Sequence, residues 1–216
     1  MLRDVTFNNG EKSAYYDWNI VLTKSEIPLP KVKVTTVDIM GADGVLDLSE
    51  ALTGDVKYDT RTAKLTFEVL DDSRFVDLLS EISNYLHGKL VTFSLSDDDE
   101  FYYKGRASIN SWECNRRKGK IVITVTCDPY KMEVEDAVVM IPLTSTPTHY
   151  ALQNLRKQVC PVITVSNNAK VVFDDITYDL TSGTQQVVGI QFVEGDNWVL
   201  VSGSGTITFT YKRGAL

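Results

Sequence analysis

The side chains that most often carry covalent or acid–base chemistry are sparse in this chain. Its 216 residues hold two histidines, His87 and His149, and three cysteines, Cys114, Cys127 and Cys160. A nucleophile activated by an imidazole needs both groups within hydrogen-bond reach. Only Cys127 or Cys160 with His149 offers a thiol version, and cysteines in alternating strands pack as small apolar groups. The sequence has no G-x-S-x-G elbow, no Walker loop and no H-E-x-x-H. Zinc lacks support, because neither histidine lies near a cysteine pair. Asp97-Asp98-Asp99-Glu100 lacks the alternating oxygen ligands, the sixth-position Gly and the terminal Glu of a calcium loop; it reads as a solvated hairpin turn. Carboxylate pairs of the glycosidase kind occur in any acidic chain, and nothing singles one out. The expectation is a protein that is not an enzyme, with no catalytic residues, metal or cofactor.

Charge narrows the partners. The chain carries 22 Lys+Arg against 29 Asp+Glu, a net −7. Neutralising phosphates or an anionic membrane takes a basic face, so neither a nucleic acid nor a membrane is expected as partner. The basic run Arg116-Arg117-Lys118-Gly119-Lys120 has no interleaved aromatics to stack bases. No apolar stretch follows a positive region near Met1, so no signal peptide is expected. The longest apolar run, Ala137 to Leu143, is broken by Pro142 and falls far short of the ~20 residues of a membrane span. Three widely spaced cysteines suit free thiols in a reducing cytoplasm, with a Cys114–Cys127 bridge across a hairpin as the alternative. Of Trp18, Trp112 and Trp198, the last follows a turn and is the best candidate for stacking a sugar ring.

The elements that must position these residues are mostly strands. Tyr16, Trp18, Ile20 and Leu22 alternate, as do Leu65, Phe67 and Val69, then Ile121, Ile123, Val125 and Cys127, and finally Ile207, Phe209 and Tyr211. Period-two patterning with β-branched and aromatic residues predicts half-buried antiparallel strands. Val32 and Val34, then Val37 and Ile39, switch phase, which predicts a bulge or bend. One segment breaks the period: Phe75, Leu78, Leu79, Ile82 and Leu86 have helical spacing. Ser73 can cap this helix, Asp71 and Asp72 suit its positive end, and Gly88 suits its exit, predicting a helix over 74–87. The fold class is therefore mainly β, with an α+β N-terminal domain bearing one helix. Strands at 90–96, 101–115 and 121–127 form a meander whose two turns carry opposite charge at opposite ends. Arg116 and Arg117 are thereby candidates for subunit–subunit pairing. The boundaries read as an N-terminal domain over 1–130, a connection over 131–147 and a C-terminal β-sandwich over 148–216, with short strands separated by turn signals.

Several segments, in order, resemble one family. Ile39-Met40-Gly41-Ala42-Asp43-Gly44-Val45-Leu46-Asp47-Leu48-Ser49 is followed by Tyr58-Asp59-Thr60-Arg61, then Leu86-His87-Gly88-Lys89 and Phe101-Tyr102-Tyr103-Lys104-Gly105-Arg106. Asp128-Pro129-Tyr130-Lys131, Leu152-Gln153-Asn154-Leu155-Arg156 and Gly203 to Tyr211 complete the series. The chain is similar to the distal tail (Dit) proteins of long-tailed, non-contractile phages and prophages. That resemblance implies an N-terminal belt domain forming a hexameric ring and a galectin-like C-terminal sandwich. It implies a structural part of the tail tip or baseplate, joining the tail tube to the tail-tip hub and host-adsorption apparatus. Partners would be further copies of itself and the tail-tube, tape-measure, tail-hub and receptor-binding proteins. DNA would pass the ring without binding, and the protein would reside in the virion tail tip after assembly in the bacterial cytoplasm. Gly41, Gly44, Asp47, Tyr58 and Arg61 are the family-motif residues and candidate ring contacts. Gly41 and Gly44 read as turn glycines, Leu46 and Leu48 as candidates for burial, and Arg61 as a partner for a carboxylate across a subunit boundary. The alternative function is a carbohydrate-binding module for host-surface glycan, centred on Trp198.

Overall fold

The computed structural model describes residues 3–51, 53–70, 74–115 and 118–216. The chain divides into two compact units, meeting at Lys131 and Met132.

The first unit is built from β1 (Val5–Phe7), β2 (Lys12–Ser13), β3 (Ile20–Glu26), β4 (Thr36–Asp38), β5 (Val45–Asp47), β6 (Arg61–Val69), α1 (Phe75–Leu86), β7 (Leu90–Leu95), β8 (Asp98–Asn115) and β9 (Lys118–Cys127). Seven of these strands hydrogen-bond in the order β2-β1-β7-β8-β9-β6-β3. Each junction is antiparallel, as half-buried alternating strands require. The meander β7-β8-β9 is present as expected; its register slips between Phe93 and Leu95 on β7 and between Ile109 and Ser111 on β8. Asn110, the residue passed over on β8, has its side-chain oxygen bonded by the Thr124 hydroxyl at 2.9 Å.

Alternation puts Ala63, Leu65, Phe67, Ile121, Ile123, Val125, Val91 and Phe93 on one face, and all are buried. Helix α1 covers that face with Phe75, Ile82 and Leu86. Its helical spacing identified the buried stripe correctly. The exit is closed by Gly88, at φ +77°, whose N–H donates to the Ala107 carbonyl at 2.8 Å. A residue with a Cβ would be strained there. The neighbouring His87 accepts from the Ile109 N–H through Nδ1 at 3.1 Å, so this histidine ties the helix end to β8. The expected cap residues Ser73, Asp71 and Asp72 lie outside the described residues. Tyr16 departs from the expected face: residues 14–18 form a tight turn, β3 begins only at Ile20, and Tyr16 points to solvent while Trp18, Ile20 and Leu22 are buried. The turn is closed by N–H bonds of Asp17 and Asn19 to the Ser13 and Tyr15 carbonyls.

Strand β10 (Lys131–Glu133) begins at the boundary, and the second unit holds β11 (Ala137–Leu143), β12 (Thr148–Asn154), β13 (Val162–Val165), β14 (Ala169–Phe173), β15 (Ile176–Leu180), β16 (Gly183–Gln186), β17 (Gly195–Gly203), β18 (Gly205–Tyr211) and β19 (Gly214–Ala215). Two four-stranded sheets, β11-β18-β13-β16 and β12-β17-β14-β15, enclose a core of Leu152, Ile163, Val171, Ile190, Phe192, Val199, Ile207 and Phe209. The expected sandwich is larger than the sequence suggested. Residues 131–147, read as a connection, contain β10 and β11, and β11 is an edge strand paired to β18 along its whole length. Its outward residues Val138 and Met140 are apolar like its inward Ile141 and Leu143, so no alternation marks it. Pro142 is tolerated because an edge strand need not donate on its outer side.

Candidate assembly surface

Between β3 and β6 the chain leaves the sheet as an arm of residues 27–60. Its base is laced by the Val32–Tyr58 bridge and by N–H bonds of Lys33 to Lys57 and Asp59 to Lys31, both 2.8 Å. Farther out, β4 and β5 pair antiparallel, with Val37 opposite Leu46. At the tip, Gly41 and Gly44 hold φ +87° and +79°, the left-handed conformations a tight turn demands. Asp47 and Ser49 brace the ribbon. The Asp47 carboxylate accepts from the Ser49 N–H at 2.9 Å and from its hydroxyl at 2.5 Å, and the Ser49 oxygen accepts from the Thr35 N–H at 2.9 Å. The bonds from the Ser49 hydroxyl and N–H hold the Asp47 carboxyl below its ordinary pKa.

Leu46 and Leu48 are not buried, contrary to expectation. They remain 47% and 36% exposed, and Met40 at the tip is wholly exposed. A two-stranded ribbon has no second layer of its own, so its apolar side chains stay exposed. Leu29, Val34, Val37, Ile39 and Val45 are exposed as well. This concentration of apolar surface on one arm is the mark of an interaction site. The phase switch from Val32 and Val34 to Val37 and Ile39 is where the chain turns from base to ribbon.

Tyr58 and Arg61 stand at the foot of the arm. Tyr58 packs edge-on against Tyr130, ring centroids 5.8 Å apart. Arg61 opens β6 and is only 4% exposed; its guanidinium lies 4.9 Å from the Tyr103 ring centroid. Its Nε and Nη2 have no hydrogen-bond partner among the described residues. Burial pushes its pKa down, and burial likewise pushes the neighbouring Cys127 thiol up to about 11. A thiol so raised is not a nucleophile.

The charged turns are less simple than expected. Arg116 and Arg117 lie outside the described residues. At the other end only Ser96 and Asp97 form the turn, and Asp98, Asp99 and Glu100 belong to β8. Asp97 is paired with Arg3, and Asp98 with Lys131 at 2.7 Å, so the chain itself supplies cations to this acidic end.

The described cysteines are free. A Cys114–Cys127 bridge is impossible in this register, because Cys114 faces Gly119 and Cys127 faces Gly105, at opposite ends of the β8–β9 ladder. Cys160 donates its thiol to the Val187 carbonyl at 3.2 Å. Among the described residues no three His, Cys, Asp or Glu side chains cluster to hold a metal. Among the described residues no helix is long and apolar enough to cross a membrane. Trp198 stands 61% exposed on β17 of the sandwich, opposite Ala151.

No protein-family model matches the chain, and no curated protein sequence matches it. Among solved structures, the Dit protein of phage SPP1 aligns with 98% of this chain and 99% of its own, at a TM-score of 0.69 and 17% identity. The chain has the fold of a phage Dit protein. That match spans both units, so the Dit likeness inferred from scattered motifs extends through the entire backbone. The SPP1 structure is described as a paradigm of the hub adsorption apparatus in phages that infect Gram-positive bacteria. Sequence reasoning found the arm through its glycines. It missed the exposure of the arm, because apolar residues in a ribbon read the same whether a partner covers them or not.

Proposed function

We propose that this protein is a structural, non-enzymatic component of a phage or prophage tail tip. It assembles as a ring, hexameric by the family resemblance, and joins the tail tube to the tail-tip hub and adsorption apparatus. The observation that carries the reading is the apolar arm on a chain whose full length has the Dit fold. In this reading the arm of each subunit lies on its neighbour in the ring. Gly41 and Gly44 shape its tip, Asp47 stiffens it, and Tyr58 and Arg61 anchor its foot. Arg116 and Arg117 contribute a basic contact to an acidic surface of the next subunit. Tail-tube, tape-measure, hub and receptor-binding proteins are the further partners. The protein is made in the bacterial cytoplasm and resides in the virion tail tip.

The charge balance supports the same reading. Residues 1–130 carry 16 cations against 21 carboxylates. A bore with an acidic wall lets DNA pass without sticking.

Light scattering tests this directly. The native chain forms a ring-sized species alone or with tail proteins. Met40→Asp with Val45→Asp weakens that assembly at least tenfold while leaving the circular dichroism spectrum of the subunit unchanged. A chain that stays monomeric with every tail protein overturns the proposal.

A further inference from the structure

We propose that the outer face of the sheet β12-β17-β14-β15 binds a neutral oligosaccharide, with one pyranose stacked on Trp198 and the following units running along β17. This goes beyond ring assembly and does not depend on it.

The face is defined by alternation along β17. Val199 and Val201 point into the sandwich and are buried, so Trp198, Leu200 and Ser202 point outward. Ala151 sits directly opposite Trp198, and its methyl group leaves the indole uncovered. Leu200 and Val172, opposite each other and half-buried, make a low apolar floor next to it. Polar groups surround this strip. Gln153 and Asp196 pair across β12 and β17 at the Trp198 end, and His149 lies opposite Leu200. At the other end Lys170 lies opposite Ser202 and pairs with Asp179 at 3.6 Å. Those three residues help to line an open pocket of about 560 Å³ at this end of the sheet, which Ala169, Leu180 and the neighbouring Ser145, Thr181 and Gly203 also border. That volume falls within the range of small-ligand sites.

Trp198 and Ser202 are four residues apart along one strand, roughly 13 Å. The indole and the pocket are thus two ends of a single strip, long enough for several sugar rings. The chemistry favours a saccharide. A pyranose presents C–H groups on its faces, which pack on an aromatic plane, and hydroxyls at its edge. The edge hydroxyls meet the Asp196 and Asp179 carboxylates and the Gln153 amide as donors, and Lys170 and Ser202 as acceptors. Two carboxylates against one lysine give the strip a negative balance, which disfavours a phosphate-bearing polymer.

The test uses the full chain, its tryptophan emission and calorimetry. The probes are neutral tetrasaccharides of glucose, galactose, N-acetylglucosamine and rhamnose, each to about 10 mM, beyond the weakest affinities of functional interest. At least one probe shifts the emission saturably, and Trp198→Ala reduces its affinity tenfold or more. Trp112→Ala, on the other unit, leaves the affinity unchanged. Lys170→Ala with Asp179→Ala removes the advantage of the tetrasaccharide over the disaccharide, and this variant keeps the test valid if Trp198→Ala misfolds. Absence of saturable binding by every probe, or binding that survives both variants, overturns the proposal and leaves ring assembly standing. Protection of Trp198 from a collisional quencher only when tail proteins are added, with no sugar effect, also overturns it.

Discussion

Arg61 and Asp47 show two opposite uses of a charged side chain. Arg61 is buried with two guanidinium nitrogens, Nε and Nη2, unpartnered among the described residues, and its guanidinium lies against the Tyr103 ring. Leaving buried donors unsatisfied costs more than a net hydrogen bond contributes. Replacing it with an apolar chain of similar length therefore stabilises the isolated subunit. Arg61→Met is expected to raise the urea midpoint by an amount worth about 1 kcal/mol, while weakening assembly if a neighbour's carboxylate reaches the guanidinium. Asp47 is exposed and acts locally. Its carboxyl is held below its ordinary pKa by Ser49, so its bracing is fully present above the unfolded value and is lost as pH falls through the lower folded value. The Ser49 amide should lose hydrogen-exchange protection over that acid window, and Asp47→Ala should remove the protection at neutral pH too. The motif marked both residues as special. Only the packing shows that one is a buried cation and the other a surface brace, because burial depends on residues distant in sequence.

At the scale of elements, strands and the one helix were legible wherever one face is buried and the other wet. Strands β6 and β9 and helix α1 show that contrast in their residues. Strand β11 does not, because Val138 and Met140 are apolar although exposed, and the ribbon β4–β5 fails for the same reason. Close contacts were also invisible. At Gly105 an added Cβ would sit 2.3 Å from the Thr126 carbonyl oxygen and 2.7 Å from the Cys127 Cα, both backbone atoms that cannot swing away. Gly105→Ala must push β8 from β9 and is expected to destabilise the subunit by about 2–3 kcal/mol, read by chemical denaturation. The ribbon makes a contrasting prediction. A two-stranded hairpin without a layer on it is marginal in water. Amides of residues 36–47 should exchange rapidly in the free subunit and slow severalfold once rings form; equal exchange in both states would exclude the arm from the subunit contact.

At the scale of the molecule the decisive fact is that the chain has two cores. One is formed wholly from residues of the first unit, including Phe7, Phe67 and Phe93, and the other from the second, including Phe192 and Phe209. Among the described residues no buried side chain is shared between the two clusters, so losing one set of contacts does not remove the other. Calorimetry should therefore resolve two transitions rather than one, departing from two-state behaviour. Phe192 packs against Phe173, Phe209 and Tyr211, with ring centroids 5.0–6.1 Å apart, and is fully buried. Phe192→Ala leaves a cavity that the sandwich cannot close and should destabilise its transition by about 4 kcal/mol. The transition of the N-terminal unit should stay in place, and with it the self-association that its arm supports. A single transition displaced as a whole by this substitution would mean that the two cores unfold as one. The sandwich could then not be altered, for instance at Trp198, without disturbing the arm.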